Sequence, residues 1–131
     1  MNISRSAGYG MMAVGYIAQN DDDALVLAST VSKKYDIPTE YLLKILQQLV
    51  RVNVLRSKRG PRGGFSLGRP ANEISMLEII EAISGPLSGH LDLTEQAKGA
   101  PFSHKMEEVC RQASAKCTET LRNTKLAQMI K

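Results

Sequence analysis

The sequence is poor in aromatic residues and in long apolar runs, with no tryptophan, four tyrosines and two phenylalanines. The small number of aromatic rings argues against a stacking platform for single-stranded nucleic acid. Because the apolar runs are only a few residues long, we expect no segment to span a membrane. The first residues, Met1 to Arg5, also lack the apolar core of a signal peptide, so we expect a cytoplasmic protein.

Cysteine is scarce as well, with only Cys110 and Cys117 in the chain. In a reducing compartment we expect these to be free thiols rather than a structural disulfide. Seven residues apart on a helix, the two side chains would be separated by about 10 Å of rise, which is too far for a disulfide within one chain. We expect both to be small packing residues, and the alternative is a redox pair that links two subunits.

The chain of 131 residues, 43% hydrophobic and 23% charged, has the size and composition of one globular domain. Its formal charge of +4 is unevenly distributed along the sequence. Residues 33–69 carry nine basic and two acidic side chains, a net charge of +7, whereas the remainder carries eight basic and eleven acidic ones, a net charge of −3. A cationic block on a mildly acidic body indicates an anionic partner.

Hydrophobic periodicity predicts a mainly helical chain with one small β-hairpin. Between 28 and 51, two helices are separated by a tight turn at Asp36, a residue type that tolerates the left-handed backbone conformation. A capping box of the form S-x-x-E, at Ser75 and Glu78, begins a later helix. The predicted helices cover 4–20, 28–35, 38–52, 75–84, 102–122 and 126–130, the strands cover 54–58 and 65–68, and a loop is expected over 86–101.

A helix, a tight turn, a second helix with a polar outer face and a basic hairpin together form a winged helix-turn-helix. We predict this DNA-binding domain over 1–84, with the helix-turn-helix over about 28–51 and the wing over about 54–68, followed by a loop and a dimerisation helix over 85–131. The second helix of such a motif fits the major groove, and arginines of a wing can enter the minor groove. Because the net charge of +7 falls on these two elements, double-stranded DNA is the expected partner.

The late helix carries a narrow apolar stripe whose members are spaced four, three, four and four residues apart. This pattern suits a helix that pairs with another helix, including a copy of itself, so we expect a homodimer. The predicted dimer interface consists of Met106, Cys110, Ala113, Cys117 and Leu121.

The wing sequence Arg59-Gly60-Pro61-Arg62-Gly63-Gly64-Phe65-Ser66-Leu67 resembles the R-G-x-x-G-G-[YF]-x-L wing of the BadM/IscR-type, or Rrf2, family of bacterial regulators. The runs 3–9 and 75–83, and Ile37 with Tyr41-Leu42, are also similar to that family, so the resemblance covers essentially the whole chain. It implies a cytoplasmic, homodimeric, DNA-binding transcriptional regulator, usually a repressor. The sequence shows no nucleophile–base pair and no metal-ligating triad, so we do not expect an enzyme.

Carried over by position, the resemblance implies that the helix over 39–51 reads a pseudo-palindromic operator in the major groove, with Arg59 in or near the minor groove. Leu43 stands where several family members have glutamate, so their operator sequence cannot be transferred to this chain. The DNA-binding residues predicted in this way are Ser4, Arg5, Ala28, Ser29, Thr39, Glu40, Tyr41, Lys44, Gln47, Gln48, Arg51, Lys58, Arg59, Gly60, Arg62 and Gly63.

Cluster-bearing members of the family place three cysteines in the segment that corresponds to 85–103, and this segment contains no cysteine here. His90, Asp92, Lys98 and His104 lie in it or next to it, and a lone histidine near an aspartate is weak evidence for a metal site. We therefore expect no iron–sulfur cluster, no other cofactor and no metal ligands. A ligand set without cysteine, drawn from both subunits, is the alternative.

The alternative function is a protein-interaction module, in which the winged helix or the dimer helix docks a metabolic enzyme or a sensor partner. Some family members without the cluster respond through a regulatory partner protein, so this function can also accompany DNA binding. DNA affinity that falls steeply with salt would favour the regulator, whereas a flat salt response would count against it.

Overall fold

The computed structural model describes residues 2–20, 24–87 and 92–131 of the chain. In these residues it forms seven α-helices and one two-stranded sheet, which confirms the predicted fold class, mainly α with a small β-hairpin. The elements are α1 (Arg5–Gln19), α2 (Ala28–Tyr35), α3 (Thr39–Arg51), β1 (Leu55–Lys58), β2 (Gly64–Leu67), a 3-10 turn (Ala71–Glu73), α4 (Met76–Ser84), α5 (Leu93–Gln96), α6 (Pro101–Asn123) and α7 (Leu126–Met129). Within those ranges no helix combines the length and the apolar character that a bilayer crossing requires.

The helix-turn-helix forms because α2 ends at a residue that adopts the left-handed conformation. Asp36 has a φ of 54°, and the amide of Ile37 donates to the carbonyl of Ser32 over 3.0 Å. The hydroxyl of Ser32 also lies 2.9 Å from the hydroxyl of Thr39, which links the last turn of α2 to the first turn of α3. The turn predicted at Asp36 is therefore confirmed.

The leucine-rich face of α3 forms the centre of the core. Its four side chains at i, i+3, i+4 and i+7 are almost completely buried, namely Leu42, Ile45, Leu46 and Leu49. They pack in one cluster with side chains of α1 and with Val54 and Leu55 at the start of the wing. The four residues form an apolar stripe, and its burial directs the polar face of α3 toward solvent.

The wing is a short antiparallel hairpin that is anchored to the segment before α2. In the hairpin, Leu55 pairs with Leu67 and Lys58 pairs with Gly64. The amide of Val26 donates to the carbonyl of Phe65 over 2.9 Å, and the amide of Phe65 donates back to the carbonyl of Val26 over 2.8 Å. The sequence did not predict this third pairing, which fixes the base of the wing beside the helix-turn-helix.

The capping box predicted at the start of α4 is confirmed, and it belongs to a larger polar cluster. Glu78 accepts a hydrogen bond from the Ser75 amide over 2.8 Å, and the Ser75 hydroxyl accepts one from the Glu78 amide over 3.1 Å. Arg69 donates to the Glu78 carboxylate over 2.8 Å and to the carbonyls of Asn53 and Glu73 over 3.1 and 3.0 Å. One arginine therefore joins the end of α3, the wing and α4.

The prediction of a loop over 86–101 is wrong for Leu93–Gln96, which form α5. Four residues are too few for a clear helical period, and α5 is held instead by a contact with α6. Glu107 accepts hydrogen bonds from the Thr94 amide over 2.9 Å and from the Thr94 hydroxyl over 2.7 Å, and these bonds lower the pKa of the Glu107 carboxyl. The long helix begins at Pro101 because proline suits a first helical turn.

The chain returns to the winged helix after α6. Leu126 of α7 is buried in the main core beside the α3 stripe. Its amide donates to the carbonyl of Ile74 over 2.8 Å, and the amide of Met76 donates to the carbonyl of Thr124 over 2.9 Å. The short helix predicted near 126–130 is therefore confirmed, while the division into parts 1–84 and 85–131 stays a prediction.

The capping carboxylate gives a pH-dependent prediction. Burial, the largest single influence, raises the pKa of Glu78, but hydrogen bonds from Ser75 and the charge of Arg69 outweigh it and lower the pKa overall. Glu78→Gln can keep the bond to the Ser75 amide but loses the charge, so we expect it to destabilise the fold by about 0.5 kcal/mol, a small value because the pair is partly exposed.

Because the folded-state pKa is lowered, the wild-type advantage should be fully present above about pH 4.3, the usual value for a glutamate in an unfolded chain. It should be lost as the pH falls through the folded-state pKa of Glu78. Urea unfolding of both proteins over a pH series measures this difference. A difference that stays constant across the series would show that the charge of Glu78 contributes nothing.

Candidate nucleic-acid interface

An open groove lies between α3, the wing and the start of α2. On the α3 side, the groove is lined by Thr39, Leu43, Gln47, Val50 and Arg51. The wing contributes Ser57, Lys58, Arg59, Gly60, Gly63, Gly64 and Phe65 to its lining. The third side is formed by Leu27, Ala28 and Ser29. Nine of the sixteen predicted DNA-binding residues therefore meet in one groove, although they come from three separate stretches of sequence.

The polar residues of α3 divide into an outer face and a flank. Glu40, Lys44, Gln47 and Arg51 recur every three or four residues and are exposed, so they form the outer face opposite the buried stripe. Thr39 is exposed at the first turn. Gln48 is half-buried, and Tyr41 makes its contacts with α1. The outer face is the part of α3 that can approach a base pair.

The wall of the groove on α3 is partly apolar. Leu43 and Val50 are half-buried against the core and line the groove between polar neighbours. Leu27, which precedes α2, is more than half exposed beside them. Sequence reasoning missed Leu27 and Val50, although an apolar residue directly before the helix-turn-helix was visible in the sequence. Such side chains suit contact with the methyl group of thymine or with sugar carbons.

The tip of the wing is cationic and tightly folded. Lys58, Arg59 and Arg62 are exposed, and the Gly63 amide donates to the carbonyl of Gly60 over 2.9 Å to close the turn. A Cβ at Gly63 would lie only 2.2 Å from the carbonyl oxygen of Lys58. A close backbone contact therefore requires glycine at position 63, whereas Gly60 is favoured by its positive φ of 108°.

Two helix N-termini complete the candidate interface. Ser4 caps α1, because its hydroxyl accepts from the Ala7 amide over 3.1 Å, and Arg5 is exposed directly after it. No side chain caps α2. Ser29 is exposed there, whereas the Ala28 side chain is buried, so only the backbone of Ala28 can face a ligand. Free amide groups at a helix start suit a phosphate.

The cationic block is almost entirely available to a ligand. Eight of the nine basic side chains between 33 and 69 are exposed. Arg69 is the exception, because the Glu78 carboxylate and two backbone carbonyls hold it. Lys34 lies 5.0 Å above the ring of Tyr16, a cation–π contact that leaves its charge in place. Three of the exposed basic residues, Arg51, Lys58 and Arg59, line the groove itself.

The α6 helix presents a second exposed surface. Only Ser103 of its 23 residues is fully buried. Phe102, Met106 and Val109 are 58%, 55% and 64% exposed, at helical spacing, on the same face as Ala113. The stripe predicted from the sequence shares Met106 and Ala113 with this face but does not include Phe102 and Val109.

The predicted dimer stripe differs in exposure along the length of α6. Met106, Cys110 and Ala113 are exposed, whereas Cys117 and Leu121 are half-buried. Leu121 packs within the subunit, against a small cluster formed by Ala7, Leu77, Ile80 and Leu87. We call the exposed side chains of Phe102, Met106, Val109 and Ala113 the outer face of α6.

The residues present do not fit a cysteine-ligated cluster. Cys110 and Cys117 are free thiols two turns apart on α6, outside the segment 85–103 in which the family places its cysteine ligands. His104 is exposed, and His90 lies outside the described residues. In the part of the chain that the structure describes, no three histidine, cysteine, aspartate or glutamate side chains come together as metal ligands.

Comparison with known proteins identifies relatives along the whole chain. Residues 3–131 match the Rrf2 family, described as an iron-dependent transcriptional regulator. The HTH-type transcriptional regulator BadM of Rhodopseudomonas palustris is 31% identical over 132 residues, covering all of this chain and 82% of that protein. An HTH-type transcriptional regulator of Aquifex aeolicus is 32% identical over 116 residues, covering 83% of this chain and 80% of that protein.

The crystal structure of CymR, the global cysteine regulator of Bacillus subtilis, has the same fold. It superimposes with a TM-score of 0.81, covers 99% of this chain and 96% of that one, and is 23% identical in sequence. The predicted winged-helix architecture is thereby confirmed.

Proposed function

Because this chain belongs to the Rrf2 family of transcriptional regulators, we propose that it is a homodimeric, DNA-binding repressor that acts in the cytoplasm on a pseudo-palindromic operator. The chain is a transcriptional regulator, as its relatives are, and not an enzyme. One observation carries the proposal. Three exposed basic side chains, Arg51, Lys58 and Arg59, line the groove between α3 and the wing, which is where a winged helix meets DNA.

In this proposal the outer face of α3 reads bases in the major groove. Gln47 can make two hydrogen bonds to adenine, Lys44 and Arg51 can donate to guanine or to phosphate, and Glu40 can accept from cytosine. All four side chains are exposed on one face. Because Leu43 offers a methyl-bearing surface in the groove wall, a thymine is the favoured neighbour.

The wing and the helix N-termini hold the duplex in place. Arg59 is exposed at the start of the wing tip and enters or approaches the minor groove, while Lys58 and Arg62 neutralise phosphates. Gly60 and Gly63 carry no side chain, so the wing backbone can approach the sugar-phosphate chain closely.

At the helix N-termini, Ser4 and Arg5 of α1 and the uncapped start of α2 at Ala28 and Ser29 bind further phosphates.

The outer face of α6 joins the two subunits. A helix of 23 residues with only one buried side chain gains little stability from its own subunit, whereas a second copy would cover Phe102, Met106 and Val109. A two-fold axis through this contact would also present two winged helices to two half-sites. A partner protein on the same face is the alternative occupant.

Arg59→Ala should weaken operator binding by about 5- to 150-fold, corresponding to about 1–3 kcal/mol, and should weaken binding to random duplex by much less. The operator can be selected from a library of random duplexes, and affinities can be measured by fluorescence anisotropy over a salt series. Arg111→Ala removes the same charge from the exposed surface of α6 and is the control. Equal losses on both duplexes would make Arg59 a phosphate contact only, and a flat salt response of the wild type would contradict the DNA-binding function.

Val109→Glu should convert the dimer into a monomer. The substitution would bury one glutamate carboxylate from each subunit close to the two-fold axis, and burial of unpaired charges is unfavourable. Sedimentation velocity measures the molecular mass directly, and circular dichroism checks that the fold is retained. Ala115→Glu, at an exposed position on another face of the same helix, should leave the dimer intact. A variant that remains dimeric would place the interface elsewhere.

We also propose that the chain acts without a cysteine-ligated iron–sulfur cluster, since its two cysteines do not occupy the ligand segment. Protein purified without oxygen should therefore show no broad absorbance near about 400 nm and no stoichiometric iron. Cys110→Ala with Cys117→Ala should bind the operator as well as the wild type. The proposal would be contradicted if the wild type contained stoichiometric iron and the double variant did not.

A further inference from the structure

Tyr41 is held by α1, which distinguishes it from the other polar residues at the start of α3. Its hydroxyl is hydrogen-bonded to the hydroxyl of Ser6. Its ring meets the ring of Tyr9 edge to face, with centroids 5.8 Å apart and an interplanar angle of 89°. The first turn of α3 is therefore joined to the first two turns of α1 by one hydrogen bond and one aromatic contact.

The same turns of α1 are fixed on their other side by α4. The hydroxyl of Ser4 lies 2.8 Å from the hydroxyl of Ser84. At Gly10 the two helices approach so closely that a Cβ would lie 2.1 Å from Ile83. The start of α1 is thus held between α3 and α4, with Arg5 exposed next to Ser6.

We propose that Tyr41 is a positioning residue that acts through Ser6 and not by contact with a base. It locks the start of α1 to the start of α3, so that Arg5 and the first amides of α1 meet a phosphate when α3 lies in the major groove. This inference rests on the proposed function of DNA binding, and it assigns Tyr41 a different part from the direct DNA contact predicted from the sequence.

The position of Tyr41 on α3 supports this assignment. The outer face of α3 is formed by Glu40, Lys44, Gln47 and Arg51, and at 100° per residue Tyr41 lies on the flank of that face, toward α1. Only 39% of Tyr41 is exposed, and its hydroxyl is already bonded to Ser6.

The Tyr41–Ser6 bond raises the affinity for DNA by preorganising the start of α1. An arginine on a helix start that is free to move must be ordered when it binds a phosphate, and this ordering reduces the affinity. With the Tyr41–Ser6 bond in place, the start of α1 has a single position relative to α3. Removal of the bond should therefore reduce the electrostatic part of binding, which the salt dependence reports.

A double-mutant cycle on the full-length dimer tests the proposal. Tyr41→Phe and Ser6→Ala should each weaken operator binding by about 3- to 10-fold, and the double variant should be no weaker than either single variant, because both remove the same bond. The slope of log affinity against log salt should fall by about one per released phosphate contact. In an Arg5→Ala background, Tyr41→Phe should have no further effect.

Tyr35→Phe is the matched control, since it makes the same chemical change on α2, where the ring contacts Tyr16. It should leave affinity and salt slope unchanged. Losses that add in the double variant would show that the Tyr41 hydroxyl contacts DNA itself, and wild-type affinity in Tyr41→Phe would show that the bond has no role in binding. Either result overturns the proposal.

The proposed function is tested separately in the same assay, by operator binding of the wild type and its loss in Arg59→Ala. If the wild type binds the operator and Arg59→Ala weakens this binding, additive losses in the double variant would contradict only the role of Tyr41. Wild-type affinity in Tyr41→Phe would do the same. When the wild type binds no duplex, DNA binding itself fails.

Discussion

The core encloses four side chains from one face of α3, Leu42, Ile45, Leu46 and Leu49, on all sides. Any rotation of α3 about its axis would expose this apolar surface, at a cost of about 25 cal/mol for each square ångström. The direction of the opposite face is therefore fixed by packing and not by any polar contact. In the proposed function, the side chains of α3 that contact bases therefore sit on a helix that is already ordered before DNA binds. The wing and α1 are positioned relative to this helix.

Local features of the sequence predicted much of this arrangement. The left-handed turn at Asp36, the capping box at Ser75 and the glycines of the wing each act within a few residues, so their chemistry is visible in a short window. The two helices of the helix-turn-helix were predicted for the same reason, because helical periodicity is a local signal. The boundaries of α2 and α3 followed from these signals to within one or two residues.

Features that join distant segments could not be predicted in this way. The pairing of Val26 with Phe65 and the contact of Tyr41 with Ser6 depend on how whole elements pack. The same holds for α5, which is too short to show a period and is held by Glu107. On α6 the dimer stripe stays a prediction, and the sequence does not show that Leu121 also packs against the small cluster of its own chain.

The end of α6 has a consequence for how the protein is made. Leu126 completes the core of the winged helix, and its amide and the carbonyl of Thr124 bond to the backbone on either side of Ser75. A chain still on the ribosome can form α1 to α4. Until Leu126 emerges, however, its place in the core is unfilled and the carbonyl of Ile74 lacks the Leu126 amide as its hydrogen-bond donor. The winged helix therefore reaches its final stability only after α6 and Leu126 have been synthesised.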